Sequence, residues 1–453
     1  MTALEYLAGA VASCEARPDA VREEVELHLI DTVGAWIASA RTNEGLALLR
    51  FRAALRASGP AGDGVALDLA TRCALARLSE IDDIHLASMI TPSAIVIPGA
   101  LTMAAVTPTA TAGDLAASIL AGAEAMTRLG RAINGAAILY RGIWPTYFAA
   151  PFGIAAAAAR LFKLDERGTA DALALALTLA APGVGHHNAA TTSRWFALGH
   201  AAHNGLAAAL AARRGFTSDR NLLESQFLPA VYGVTADLAA LTDGLGERVA
   251  LTEVSFKPWC AARQTMAATQ ALKEIIEAGV APAAMDEIVV SVLPPHRKMI
   301  DHGVVAGDRA SHLTSVQYCM ALAALAPDLA FELAPTAPEP PASVRSLMAK
   351  IKVEADDGLL ADYPRTWPAR VRVATGSARH ERTVTHVPGD PARPFDGTRL
   401  REKFLRFTRP VLGEDAAGRL LVRCHAALAA GEFAPLLSEI ERACGDALAR
   451  ADQ

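Results

Sequence analysis

EIDDIHLASMITPSAIVIPGA, residues 80–100, places two carboxylates (Asp82, Asp83) and an imidazole (His85) at the mouth of an uncharged run, since the next formal charge after Asp83 is Asp114. A run of that length must be buried, either in a membrane or in a protein core. Pro92, Pro98 and Pro108 interrupt it and Ala outnumbers Leu and Ile, which points to buried helices of a large helical core. Titratable groups beside such a segment are where desolvation and neighbouring charges shift pKa values, and shifted groups move protons near neutral pH. The structural alternative is that Asp82 or Asp83 caps a helix, a position Asp favours.

The same reading extends outward. Two further runs, 142–159 and 172–193, lack Asp, Glu, Lys and Arg, and Pro145, Pro151 and the His186-His187-Asn188 cluster again argue for core rather than membrane. Residues 1 to about 245 read as helix, dominated by Ala and Leu and punctuated by Pro18, Gly59-Pro60, Gly142 and Pro182-Gly183. Leu4, Leu7, Val11 and Cys14 recur at helical spacing, and Glu5 interrupts a stretch that no basic residue precedes, so a signal peptide is not expected. The chain has 453 residues, a net charge of -5 and no basic stripe, so two domains are expected and nucleic acid is not an expected partner. Six cysteines without a CxxC pair indicate no disulfide framework, and the cytoplasm is the expected location.

The pattern changes after Ser255. MDEIVVSVL (285–293) is a β-branched strand stopped by Pro294-Pro295, AKIKVEAD (349–356) alternates, and ARVRVATGSARHERTVTH (369–386) reads as a hairpin around Gly376-Ser377. Helices are expected near 262–278 and 311–326, and APTAPEPPAS (334–343) is expected to lack regular structure. VPGDPARPFDG (387–397) reads as a linker before a helical tail. The expected fold is mainly α: a large all-helical domain, 1–250, then a smaller α+β domain, 251–397, then the helical segment 398–453. No GxGxxG after a strand, Walker loop, HExxH or GxSxG elbow is present, and no second cluster completes a shell around Asp82, Asp83 and His85, so neither a cofactor nor a metal is expected.

The 80–100 stretch resembles the signature of the MmgE/PrpD family of 2-methylcitrate dehydratases, cis-aconitate decarboxylases and iminodisuccinate epimerases. Four blocks in the family's order extend the resemblance: RGIWPTYFAAPFGIAAAAARL (141–161), SRWFALGHAAHNGLAAALAARRG (193–215), SFKPWCAARQTMAA (255–268) and LTSVQYCMALA (313–323). The resemblance implies a cofactor-independent enzyme acting on a small carboxylate, a homodimer, and a discontinuous helical domain, 1–250 completed by 398–453, with 251–397 as an α+β lid domain. By position it implies catalytic roles for Asp82, Asp83, His85, Lys257 and Tyr318. Arg263 matches the arginine of the FKP block and His302 a family histidine; with Tyr140 and His187 they are substrate-binding candidates.

Departures from the pattern fall on the motif positions. Ile84 stands for the family threonine, Thr91 for the THPS histidine, Trp144 for the FHP histidine, Ala197 and Met266 for two more, and Arg194 for a lysine. Arginine cannot serve as a base but still grips a carboxylate. A site rebuilt for other chemistry or a less charged substrate is therefore expected, with Trp144, Trp195 and Ile84 as apolar walls and Thr91 and Arg194 among the substrate-binding residues. The leading expectation is a dehydratase or decarboxylase. An isomerase, epimerase or cyclase on the same scaffold is the alternative, because abstraction of an α-proton is common to both, and a non-catalytic relic is the third.

Overall fold

The computed structural model describes residues 1–16, 19–58, 64–181, 191–333 and 337–453. The chain divides into two compact units, one of Met1–Gly185, Thr191–Val254 and Asp396–Gln453, the other containing Ser255–Phe395. The fold is mainly α, with a smaller α+β unit.

The first unit is helical because its Ala- and Leu-rich segments have high helix propensity and bury small side chains. Helix Pro145–Leu161 has proline at its first position, where no N–H is needed, and its Ala155–Ala159 run has no exposure at all. It packs against Ala112–Ala132 and Ser193–Arg213. These approaches are close: a Cβ on Gly122 would lie 2.9 Å from the Gly153 carbonyl oxygen, and one on Gly205 would lie 2.3 Å from that of Pro151. Alanine and glycine are thus required by backbone proximity here. The tail helices Gly397–Leu412, Glu414–Ala430 and Phe433–Ala451 belong to this unit, and Lys403 Nζ donates to Asp31 Oδ1 at 2.5 Å and to the Ile81 carbonyl at 2.8 Å. Among the described residues no helix is long and apolar enough to cross a membrane.

The second unit holds a four-stranded sheet of β1 (Glu287–Val292), β2 (Ile351–Ala355), β3 (Ala369–Thr375) and β4 (Ala378–Val384), in the order β2-β1-β3-β4. β1 pairs parallel with β2 and antiparallel with β3, and β3 and β4 form the hairpin, with Gly376 at φ +57° in its turn. Ile288, Val290, Val371 and Val373 are fully buried, and helix Arg263–Glu277 packs on β3 and β4.

Three local expectations change. Residues 84–92 are not helix: His85 and Ile90 form an isolated β-bridge around the short turn Leu86–Ser88, and the helix begins at Ser93. Pro92 disfavours helical backbone at Thr91, and the His85 side chain accepts the Ser88 N–H that a helix would use. The helix expected near 311–326 is two, Arg309–Thr314 and Val316–Leu325, because Ser315 ends one and its Oγ caps the other at the Tyr318 N–H. Ala342 and Ser343, expected outside regular structure, open helix Ala342–Met348 after Pro341. At the N-terminus Leu4, Leu7 and Val11 are buried on helix Ala3–Ala12, whereas Cys14 lies beyond its end.

Candidate functional site

Asp82 and Asp83, adjacent in sequence, serve different partners. Asp83 is 1% exposed. Its Oδ2 accepts from His28 Nδ1 at 2.6 Å, and its Oδ1 accepts from the Ser93 N–H at 3.3 Å. Asp83 thus satisfies the first donor of helix Ser93–Ala105, whose own N-cap, Pro92, supplies no side-chain acceptor. His28 Nε2 faces the Leu251 carbonyl at 3.2 Å and Glu24 Oε1 at 3.3 Å. The Asp83 and Glu24 carboxylates and the Leu251 carbonyl all present acceptor oxygens to the ring nitrogens. Burial alone would depress this imidazole, but the hydrogen bonds and charges of Asp83 and Glu24 outweigh burial and hold its pKa at about 9. Asp31 lies in the same buried polar group, where desolvation raises its carboxyl against the opposing charge of Lys403.

Asp82 turns the other way. Arg77 Nη1 donates to Asp82 Oδ1 at 3.2 Å and to Glu80 Oε1 at 2.7 Å. The Arg77 guanidinium lies 5.6 Å from the centroid of Trp195, and that of Arg194 lies 5.2 Å from Trp144 and 5.7 Å from Trp195. Trp144 packs edge-on against Tyr147 at 5.5 Å. Two guanidinium groups, two indoles and a phenol therefore form one cluster, built from the ends of helices Gly64–Leu78, Pro145–Leu161 and Ser193–Arg213. The Tyr147 hydroxyl and the Trp144 indole N–H are both buried and have no hydrogen-bond partner among the described residues. Burial raises the Tyr147 phenol above its ordinary range against the opposing charges of Arg77 and Arg194, so it is a neutral donor at physiological pH. Thr91 joins the cluster's edge: its N–H donates to Thr146 Oγ1 at 3.2 Å.

His85 is held between Ser88 Oγ, 2.8 Å from Nδ1, and Glu253 Oε2, 3.3 Å from Nε2. The hydrogen bond from His85 lowers the Glu253 carboxyl below its ordinary range. This is a buried imidazole oriented by a carboxylate, an arrangement suited to general acid–base work. Ile84 is buried beside it, and Tyr140 lies half-buried in the turn Leu139–Arg141.

In the second unit Lys257 is 2% exposed. Arg263, also buried, gives its Nη2 to both oxygens of Asp390 at 2.9 and 2.7 Å and stacks 5.8 Å from Trp367, while its Nε and Nη1 have no hydrogen-bond partner among the described residues. Burial, helped by the Arg263 charge, pushes the neighbouring His296 down to about 3, so it is neutral. His302 is half-buried, with Nδ1 2.7 Å from the Gly303 carbonyl and Nε2 3.0 Å from Thr314 Oγ1. Tyr318 lines an apolar cavity, and burial raises its hydroxyl to about 12. His187, with His186, lies outside the described residues.

Of the residues expected from sequence, the structure brings Asp82, Thr91, Trp144 and Arg194 into one connected group, and gives Asp83 and His85 separate partners. Arg77, Tyr147, His28 and Glu253 escaped the sequence reading. Tyr147 had a signal, three residues after Trp144 and so on the same helix face, and Arg77 had one as a cation one turn before Asp82. His28 and Glu253 had none. Among the described residues no group of three or more His, Cys, Asp or Glu side chains is placed to hold a metal ion.

The chain thus combines a mainly helical unit with a smaller unit built on a mixed sheet, and its buried polar residues include paired guanidinium groups and a carboxylate-oriented histidine. Residues 5–236 match the MmgE/PrpD N-terminal domain and residues 259–426 the MmgE/PrpD C-terminal domain, so the chain belongs to the MmgE/PrpD family. That family is generally enzymatic, typically dehydratases and other lyases acting on carboxylates. No curated protein matches the chain.

Proposed function

We propose that the protein is a lyase that works without a cofactor on a small carboxylate, removing a proton beside the carboxylate and expelling a β-substituent. The observation that carries this reading is the Arg77/Arg194 cluster with the unpartnered Tyr147 hydroxyl and Trp144 N–H. A buried donor left unpaired costs about 1–3 kcal/mol, and here two such donors stand beside two cations. An anion bound there would satisfy both, with charge-assisted hydrogen bonds from arginine.

In this reading Arg194 grips the substrate carboxylate, Arg77 adds positive potential while tied to Asp82, and Tyr147 donates to the developing negative charge. Abstraction of the α-proton leaves an electron pair that forms the double bond as the β-group departs. His85, oriented by Glu253, is the assigned proton carrier, and Lys257 keeps the catalytic role that its family position implies. Asp83 is assigned a structural role, through His28 and Ser93. One observation favours an isomerase or epimerase as the second reading: Thr91, Trp144 and Met266 are buried without a titratable group at positions where relatives carry histidine, which removes donors that expulsion of hydroxide would use.

The test is ultraviolet detection of a new conjugated double bond with a series of β-hydroxy carboxylates, in the wild type and Arg194→Met. The reading expects turnover of at least one substrate, and an Arg194→Met KM raised roughly 10-fold or more, the loss of a charged hydrogen bond of about 1.5–3 kcal/mol. Turnover with unchanged KM in Arg194→Met would remove this residue from the site.

A further inference from the structure

Trp144 and Tyr147 open helix Pro145–Leu161. Trp144 is its N-cap and Pro145 occupies the first helical position, while the Trp144 carbonyl accepts the Tyr147 N–H at 3.0 Å and the Phe148 N–H at 2.9 Å. The two rings meet edge-on at 5.5 Å and are 8% and 1% exposed, so backbone and packing both hold these side chains in place. Neither the Trp144 indole N–H nor the Tyr147 hydroxyl has a hydrogen-bond partner among the described residues. Thr146, between them in sequence, accepts instead from the Thr91 N–H at 3.2 Å.

An indole nitrogen only donates, and a phenol hydrogen needs an acceptor. A ligand that meets both must therefore bring lone pairs. Burial keeps the Tyr147 phenol protonated, and an indole does not give up its hydrogen, so the pair lends hydrogen bonds to an anion without passing a proton to it. Arg77 in the same cluster is matched by Asp82 and Glu80, so what the pair adds is neutral donor strength fixed in a buried place. Donors fixed in this way count most where negative charge develops during a reaction. A carboxylate spreads one charge over two weakly basic oxygens. Loss of the α-proton makes it an enediolate, whose oxygens are far more basic. We propose that Trp144 and Tyr147 form an oxyanion pair that binds this enediolate in preference to the ground-state carboxylate, which makes Trp144 a catalytic donor rather than an apolar wall. The Cα–H bond breaks, the proton passes to His85, and the electron pair forms the Cα–C double bond as a second negative charge moves onto the carboxylate oxygens. The inference rests on α-proton abstraction beside a carboxylate at this cluster, a step that the lyase and isomerase readings share.

The probe is the preformed nitronate of 3-nitropropanoate, a stable planar analogue of an enediolate, with succinate as the ground-state comparison. Both are titrated into the full chain by calorimetry. The nitronate is expected to bind at least about 10-fold tighter than succinate, as analogues of a reaction's high-energy state do. Trp144→Phe and Tyr147→Phe each remove one donor and keep the ring, and each should lower the nitronate-to-succinate affinity ratio at least about 10-fold. A general disturbance of the fold would weaken both ligands and leave the ratio where it was. A wild-type ratio near one, binding of neither ligand, or a ratio that either substitution leaves unchanged overturns the proposal. Turnover plays no part in this readout. A lyase reading that fails in the double-bond assay therefore leaves the ratio standing, whereas a ratio near one strikes the oxyanion pair and leaves the carboxylate grip of Arg194 to its own test.

Discussion

Replacing Asp83 with Asn tests the buried His28–Asp83 pair, and the size of the effect follows from the structure. His28 has an ordinary pKa of 6.5 and sits at about 9 in the folded protein, held up by Asp83 and Glu24 against burial. A folded pKa above the unfolded one means the imidazolium stabilises the fold fully below pH 6.5, and that this stability is lost as pH rises through about 9. At 1.36 kcal/mol per pH unit, the gap amounts to about 3 kcal/mol. Wild-type stability should therefore fall by about that amount between pH 6 and pH 9.5 through this group. Asp83→Asn leaves a single acceptor oxygen for two donors, His28 Nδ1 and the Ser93 N–H, and removes the charge, so its cost should be about 3 kcal/mol larger at pH 6 than at pH 9.5. Urea unfolding followed by far-ultraviolet circular dichroism at the two pH values reads the difference. An Asp83→Asn penalty that is equal at both pH values would refute the charged-pair account, and one below about 0.5 kcal/mol at pH 6 would refute the importance of the pair.

Tyr147→Phe removes a buried hydroxyl that has no hydrogen-bond partner among the described residues, so its melting temperature should hold or rise while kcat/KM falls roughly 10- to 150-fold; loss of stability would show the hydroxyl to be structural. Asp390→Asn strips the counter-charge from buried Arg263 and should destabilise the second unit by about 3–5 kcal/mol, read by urea titration. Glu253→Gln leaves the His85 ring without its orienting carboxylate and should lower kcat at least about 10-fold with little change in KM; an unchanged kcat would exclude His85 as the proton carrier. Lys257→Ala should lower turnover with little change in substrate-independent melting, and unchanged turnover would remove Lys257 from the site.

The parts of the fold that follow local rules were legible in the sequence. The β-branched run around Val289 and Val290, the Gly376-Ser377 turn and the charge-free alanine runs each announce their element by composition and period. The turn at 84–92 was hidden because a proline rule and a side-chain hydrogen bond overrode a helical composition. Within the site, Trp144 and Arg194 stood out as departures from motif positions, but their meaning did not. Trp144 and Trp195 read as apolar wall, whereas the structure stacks both on Arg194, making that wall cationic. The pairs that order the buried polar groups were illegible for a simpler reason. His28 and Asp83 are 55 residues apart, and Arg263 and Asp390 are 127 apart, and no periodicity encodes such a pairing.

The central claim is elimination beside a carboxylate, and proton NMR of the full chain in deuterium oxide tests it most directly. The substrates are 2-methylcitrate, citrate, cis-aconitate, iminodisuccinate and simple β-hydroxy acids. The account predicts, for at least one of them, loss of the signals flanking the β-substituent or carboxylate together with the signals of the eliminated or decarboxylated product. Deuterium uptake into recovered substrate with no elimination, or unchanged spectra across the whole series, would contradict it.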